Sequence, residues 1–126
     1  MSVLGIVPAR GGSKRIPDKN IVSFCNRPML SYVLDAASKS EIFDKIHVST
    51  DSKKIAYISK KYGAEVPFLR SKKLSDDKTS TMDVLINTIK KINSTNIKFH
   101  CLLYPTAPLI DFKDISSAFK KLQREN

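Results

Sequence analysis

Short apolar or β-branched runs alternate along this chain with segments of helical spacing, and that alternation constrains the fold more than any other feature. Strand candidates are residues 2–7 (SVLGIV), 45–50 (KIHVST), 65–69 (EVPFL) and 98–104 (KFHCLLY). Between them, residues 28–39 repeat apolar positions at Leu30, Val33, Leu34 and Ala37, with Pro28 suited to a first helical turn. Residues 52–62 predict a helix with Asp51 as N-cap, Ile55 and Ile58 inward, and Gly63 just past its end. Ser80 with Asp83 resembles a capping box ahead of Leu85, Ile86, Ile89 and Ile92; Asp111 with Asp114 repeats it ahead of Ile115, Phe119 and Leu122, in a helix running to the last residue. Strand-helix repetition with short connections predicts an α/β fold: a Rossmann-like, mostly parallel sheet with helices on both faces. At 126 residues the chain is expected to form a single domain, and a sheet ending after four βα units has an open edge. That edge reads as the first part of a larger nucleotide-binding domain.

In such sheets ligands bind at the carboxyl ends of the strands. The segment there after the first strand is ARGGSKRIPDKN, residues 9–20. Gly11 and Gly12 can reach positive φ and let an anion approach backbone N–H groups. Arg10, Lys14, Arg15 and Lys19 add cations, and Ser13 a hydroxyl. The segment is neither GxxxxGK[ST] nor GxGxxG, so the two best-known phosphate-loop signatures do not describe it. Three more segments fall on the same rim: Ser49-Thr50-Asp51-Ser52, the polar loop 70–81, and Tyr104-Pro105-Thr106-Ala107-Pro108. Asp51 reads as a helix cap, and the two prolines as a rigid exit from the last strand.

Several function classes find no support. The net charge of +10 is spread largely over lysine doublets at helical spacing, without the aromatic-basic interleaving of an RNA-reading sheet, so no nucleic-acid partner is expected. Cys25 and Cys101 lack zinc or disulfide spacing, and Cys101 reads as a buried small hydrophobe. His47 and His100 fall inside strands as core or sheet-face residues. No GxSxG, HExxH or EF-hand pattern occurs, which leaves acid-base catalysis without candidates. Phosphoryl transfer needs chiefly positioning, cations and a metal. The apolar run ahead of Pro8 is only about six residues, too short for a signal peptide or membrane span, so a cytoplasmic protein with no membrane partner is expected.

The loop at 9–20 resembles the nucleotide loop of the acylneuraminate cytidylyltransferase family, whose members commonly read SKGIP or SKRIP where this chain has Ser13 to Pro17. STD at 49–51 and the loop carrying Arg70, Leu74, Ser75, Asp76 and Asp77 match as well. YPTAPLI at 104–110, where sialic acid enzymes typically carry QPTSPLR, is similar to the pseudaminic acid subgroup, as are SKRIP and EVPFLR at 65–70; Asp18 departs from a basic residue often seen there. The resemblance covers the whole chain but about the first half of a family member.

It implies a reaction in which the anomeric hydroxyl of a nonulosonic acid, pseudaminic acid ahead of N-acetylneuraminic acid, attacks the α-phosphate of CTP with Mg²⁺ assistance, giving a CMP-sugar and pyrophosphate. Arg10, Gly11, Gly12, Ser13, Lys14 and Lys19 would hold the triphosphate, with Arg10, Lys14 and Lys19 stabilising the departing pyrophosphate. Asn20, Arg70, Thr79 and Ser80 would hold cytosine and ribose; Tyr104, Pro105 and Thr106 would border the sugar pocket. The family's acidic metal ligands and its usual homodimer arm correspond to positions beyond Asn126, and Asp51, Asp76 and Asp77 do not obviously replace those ligands. The chain is therefore expected to act as a cytidylyltransferase impaired by truncation, or as a CTP-binding module without turnover.

Overall fold

Strand β1 (Val3–Pro8) is buried along almost its whole length, as a strand covered on both faces must be. In a computed structural model describing residues 2–92 and 96–125, β1 lies at the centre of a three-stranded parallel sheet, between β4 (Lys45–Ser49) and β5 (Phe99–Leu102). Leu4 to Pro8 pair with Lys45 to Ser49 on one side, and Val3 to Ile6 with Phe99 to Leu102 on the other. Strands β2 (Ser23–Phe24) and β3 (Arg27–Pro28) form a separate small hairpin, whose turn residues Cys25 and Asn26 both have positive φ, as a type I′ turn requires.

The connections put helices α1 (Met29–Ser40), α2 (Lys53–Lys61), α3 (Thr81–Ile92) and α4 (Phe112–Glu125) around the sheet. The path leaves β1 for β4 on one side and returns to β5 on the other, so right-handed crossovers lay α1 and α3 on opposite faces. This is the expected Rossmann-like architecture. Leu30, Val33, Leu34 and Ala37 of α1 form the core with Val7, Val48, Ile55 and Ile115.

The third expected strand, 65–69, does not form. The segment runs beside β4 but touches it through isolated parallel bridges, His47 with Glu65 and Thr50 with Leu69. The reason is Pro67, midway between the two, which has no N–H to give a ladder. Its backbone still bonds outward, Glu65 N–H to Ile46 O at 2.8 Å and Arg70 N–H to Thr50 O at 2.7 Å, which delivers Arg70 to the rim of the sheet.

Several ends also move. Pro28 is the cap of α1 and not part of its first turn. Helix α2 is capped by Ser52, whose Oγ accepts from Ile55 N–H at 3.2 Å, and not by Asp51. At its other end Gly63 has φ of 89°, and the bonds Ala64 N–H to Ser59 O and Gly63 N–H to Lys60 O make a Schellman ending. Ser80 Oγ caps α3 on Asp83 N–H, and the side chain of Asp111 caps α4 on Lys113 N–H.

The buried stripe of α3 is Val84 and Thr88, while Ile86 is exposed; on α4 only Ile115 is buried and Leu122 is exposed. Cys101 is half-buried and His100 exposed on β5, whereas His47 is buried against Glu65, with 2.8 Å between Nε2 and Oε2. That the last helix reaches Asn126 lies outside the described residues; its described part ends at Glu125.

Candidate functional site

The carboxyl end of β1 and the segment that leaves β5 open on one cavity of about 300 Å³. Arg10, Ser13, Lys19, Asn20, Arg70, Thr79, Tyr104, Pro105 and Thr106 line it, so nine residues singled out from the sequence converge there from three separate segments. Lys14 lies in an adjoining recess with Arg10, Ser13, Arg15, Lys19 and Asp77. Gly11, Gly12 and Ser80 line neither; Ser80 is occupied in capping α3.

The loop after β1 is tied from within. Ala9 N–H continues the β1–β4 ladder to Ser49 O at 2.8 Å, Ser13 Oγ donates to Ile16 O, and Lys19 N–H donates to Ser13 Oγ at 3.1 Å. Asn20 Nδ2 donates to Arg10 O at 2.9 Å and closes the loop at its base. Neither Gly11 nor Gly12 adopts positive φ. Gly11 sits in a close approach instead: a Cβ there would lie 3.0 Å from Ser52 Cβ, so a side chain would fit only if the start of α2 gave way. Its N–H donates to Asp51 Oδ1 at 2.8 Å, which is what Asp51 does in place of capping the helix. A Cβ on Gly12 would meet nothing within 4 Å.

Two buried residues that line this cavity each keep one polar atom with bonding capacity unspent. Asn20, 4% exposed, uses its amide nitrogen on Arg10 O; that partner fixes which way the amide points and leaves Oδ1 an unpaired acceptor. Arg70, 6% exposed, donates Nη1 to Leu74 O at 3.1 Å and Nη2 to Ser49 O at 3.2 Å, while Nε has no partner. No carboxylate among the described residues is within ion-pair distance of it. Burial pushes the guanidinium pKa down, with Asp51 opposing and Arg10 adding to the effect. A buried cation held only by carbonyls is costly by itself and suited to an electron-rich ligand.

The far side of the cavity is the strap between Arg70 and α3. The 3₁₀ turn Lys72–Leu74 starts it, and Ser75 Oγ donates to Ser71 O at 2.7 Å. Asp76 Oδ1 then accepts from Lys78 N–H, Thr79 N–H and Thr79 Oγ1, a turn that lowers the pKa of Asp76, chiefly through the threonine hydroxyl. Asp77 reaches back to the loop, with Oδ1 2.6 Å from Arg10 Nη1 and Oδ2 2.6 Å from Lys14 Nζ. Lys14 first, and Arg10 second, hold its carboxyl below the usual range. Sequence reasoning placed Asp77 in a matching motif without a partner. The signal was a second aspartate in a donor-rich loop, but its partners are 67 and 63 positions away.

The carboxylates near the cavity do not fit a ready magnesium site. Asp51 serves Gly11, Asp76 closes its own turn and Asp77 holds two cations; no group of three or more His, Cys, Asp or Glu able to hold a metal occurs among the described residues. Among those residues, no helix is long and apolar enough to cross a membrane.

Comparison with known proteins gives the family and the fold. The chain is 46% identical over 123 residues to a pseudaminic acid cytidylyltransferase of Campylobacter jejuni, covering 96% of this chain and 53% of that protein. It is 39% identical over 110 residues to a CMP-N,N'-diacetyllegionaminic acid synthase of Legionella pneumophila, covering 86% and 47%. A solved CMP:2-keto-3-deoxy-manno-octonic acid synthetase, complexed with CTP, superposes with a TM-score of 0.82 at 20% identity, over 98% of this chain and 48% of that one, which establishes the fold. The chain thus spans about half the length of the relatives it matches. The sequence profile described as "Cytidylyltransferase" matches residues 4–126, and the chain belongs to that family.

Proposed function

We propose that this chain is the nucleotide-binding part of a cytidylyltransferase that activates a nonulosonic acid with CTP, pseudaminic acid being the favoured sugar. The observation that carries the reading is the meeting, in one cavity, of the cationic loop, the buried Asn20 and Arg70, and the Tyr104–Thr106 exit of β5. The 46% identity to a pseudaminic acid enzyme supports the choice of sugar.

Asn20 and Arg70 line the cavity, and each keeps one buried polar atom without a partner, the acceptor Oδ1 and the donor Nε. Cytosine presents an exocyclic amine as donor beside ring acceptors, and so complements both; uracil presents a carbonyl where the amine would be, leaving two acceptors opposed. Arg10, Ser13, Lys14 and Lys19 take the phosphates, and Thr79 the ribose. Gly11 supports the loop from behind through Asp51, and Ser80 acts through the start of α3. In the reaction, the anomeric oxygen of the sugar bonds to the α-phosphorus as the bond to the β-phosphate oxygen breaks; pyrophosphate leaves and the hydroxyl proton passes to solvent. Arg10, Lys14 and Lys19 stabilise charge developing on the leaving group. The Mg²⁺ that the family resemblance implies finds no ligand set among the described carboxylates, so no step is assigned to it here.

Thermal stabilisation separates this reading from its rivals: CTP raises the melting temperature more than UTP or GTP at equal concentration. Equal shifts for the three would overturn the cytosine assignment. Mg²⁺-dependent pyrophosphate release with CTP and pseudaminic acid tests turnover, and release with N-acetylneuraminic acid as the better substrate would overturn the choice of sugar.

A further inference from the structure

The strap from Arg70 to Ser80 is held at both ends and carries one side chain across to the phosphate loop. Arg70 is buried at one end, Ser75 is buried in the middle, and Ser80 caps α3 at the other. Asp76 ties the turn that follows it, through Lys78 and Thr79, and thereby presents Asp77 outward. Among the described residues, the polar contacts joining strap to loop are those of Asp77 with Arg10 and Lys14, each 2.6 Å long and each using a different carboxylate oxygen. These are charge-assisted bonds of the kind a phosphate oxygen makes with the same donors. Asp77 lines both the main cavity and the adjoining recess, so it lies where those two spaces meet.

A carboxylate and a phosphate cannot share these two donors without bringing like charges together. Resting on the reading above, we propose that Asp77 is an internal competitor of the nucleotide's polyphosphate. In the free protein it closes the strap on the loop, and it is released when phosphate oxygens take over Arg10 and Lys14. The contact is exposed, so it is weak enough to open under a multiply charged ligand and strong enough to hold the two side chains in place beforehand. One consequence is selectivity by charge. Anions that cannot outbid one well-placed carboxylate leave the strap closed.

The test is Asp77→Asn in the full chain, titrated calorimetrically with inorganic tripolyphosphate and with CTP at low and moderate ionic strength. Asp77→Ala is run beside it, because asparagine keeps a neutral acceptor. Both variants should melt with the wild type and bind tripolyphosphate roughly three- to tenfold more tightly, with the gain shrinking as salt rises. Unchanged or weaker binding in both variants would overturn the proposal and make Asp77 a residue that orients Arg10 and Lys14 for the ligand. If the wild type binds CTP while none of the three proteins binds tripolyphosphate, the competitor fails and the cytosine reading survives. If tripolyphosphate behaves as expected but CTP binds no better than UTP, the cytosine reading fails and the competitor stands.

Discussion

The two ends of the cavity are built on opposite principles. At one end Asn20 and Arg70 are buried, held by backbone carbonyls, and retain one unpaired polar atom each. At the other, Arg10 and Lys19, with Lys14 in the adjoining recess, lie on a partly or fully exposed loop, and Arg10 and Lys14 are balanced by Asp77. Buried, unsatisfied groups gain most from a ligand of matching pattern, because leaving them unpaired is expensive and water cannot substitute. Exposed charges attract almost any anion, and salt weakens them. Discrimination should therefore reside at the buried end and capture at the exposed end.

Removing the buried cation should break the comparison most severely. Arg70→Met strips the donors from Ser49 O and Leu74 O and leaves the cavity without its buried positive charge. The expected loss in CTP affinity is about a hundredfold, on the order of 2–3 kcal/mol for a hydrogen bond to a charged group, with a melting temperature lower by several degrees. Calorimetry and thermal melts check both, and CTP affinity within twofold of wild type would remove Arg70 from the buried end. Asn20→Ala should cost less in affinity, about tenfold, and more in selectivity. The measurement is the ratio of CTP to UTP affinity, which should approach one. A preserved ratio would place base discrimination elsewhere.

A smaller effect comes from a pair of identical substitutions one residue apart. Gly11→Ala brings a methyl to 3.0 Å from Ser52 Cβ and pushes the loop off the hydrogen bond that its N–H donates to Asp51 Oδ1. Overpacking of this kind costs about 1–3 kcal/mol, read as a lower melting temperature and severalfold weaker CTP binding. Gly12→Ala meets nothing within 4 Å and should leave both unchanged. Equal behaviour of the two variants would mean that the loop is not anchored through Gly11.

What could be read in advance follows the same division. The alternating apolar pattern carries β1, α1 and the parallel sheet, because local burial periodicity records those directly. The glycines and cations of the 9–20 loop marked it as a rim segment, and several of its residues do line the cavity, although Gly11 is held by contact with Ser52 and not by positive φ. Residues 65–69 carried the composition of a strand, and one missing N–H at Pro67 reduced them to two bridges. Asp51 was the expected cap of α2, and Ser52 takes that place. Choosing between them requires knowing that Gly11 arrives beside Asp51, which is long-range information. Asp77 is the extreme case, since nothing within its own segment announces a bond to Arg10.

Acid gives the smallest effect and separates the two ends without mutation. Asp76 is held below the ordinary carboxylate value of about 4 by the hydroxyl and N–H of Thr79, and Asp77 by Lys14 and then Arg10. A carboxyl lowered in the folded state stabilises it fully above the unfolded value, and that contribution disappears as pH falls through the lower folded value. Both groups are exposed, so the strap should loosen below about pH 4 while the fold persists. The Lys78 and Thr79 amide resonances, whose protons lie on Asp76 Oδ1, should then titrate with midpoints below 4, whereas the Arg70 amide, bonded to Thr50 O at 2.7 Å, should not move with them. Coincident midpoints at all three amides would show that the strap and the buried end unfold as one unit, and the division of the cavity into a capturing and a discriminating end would then lack a structural basis.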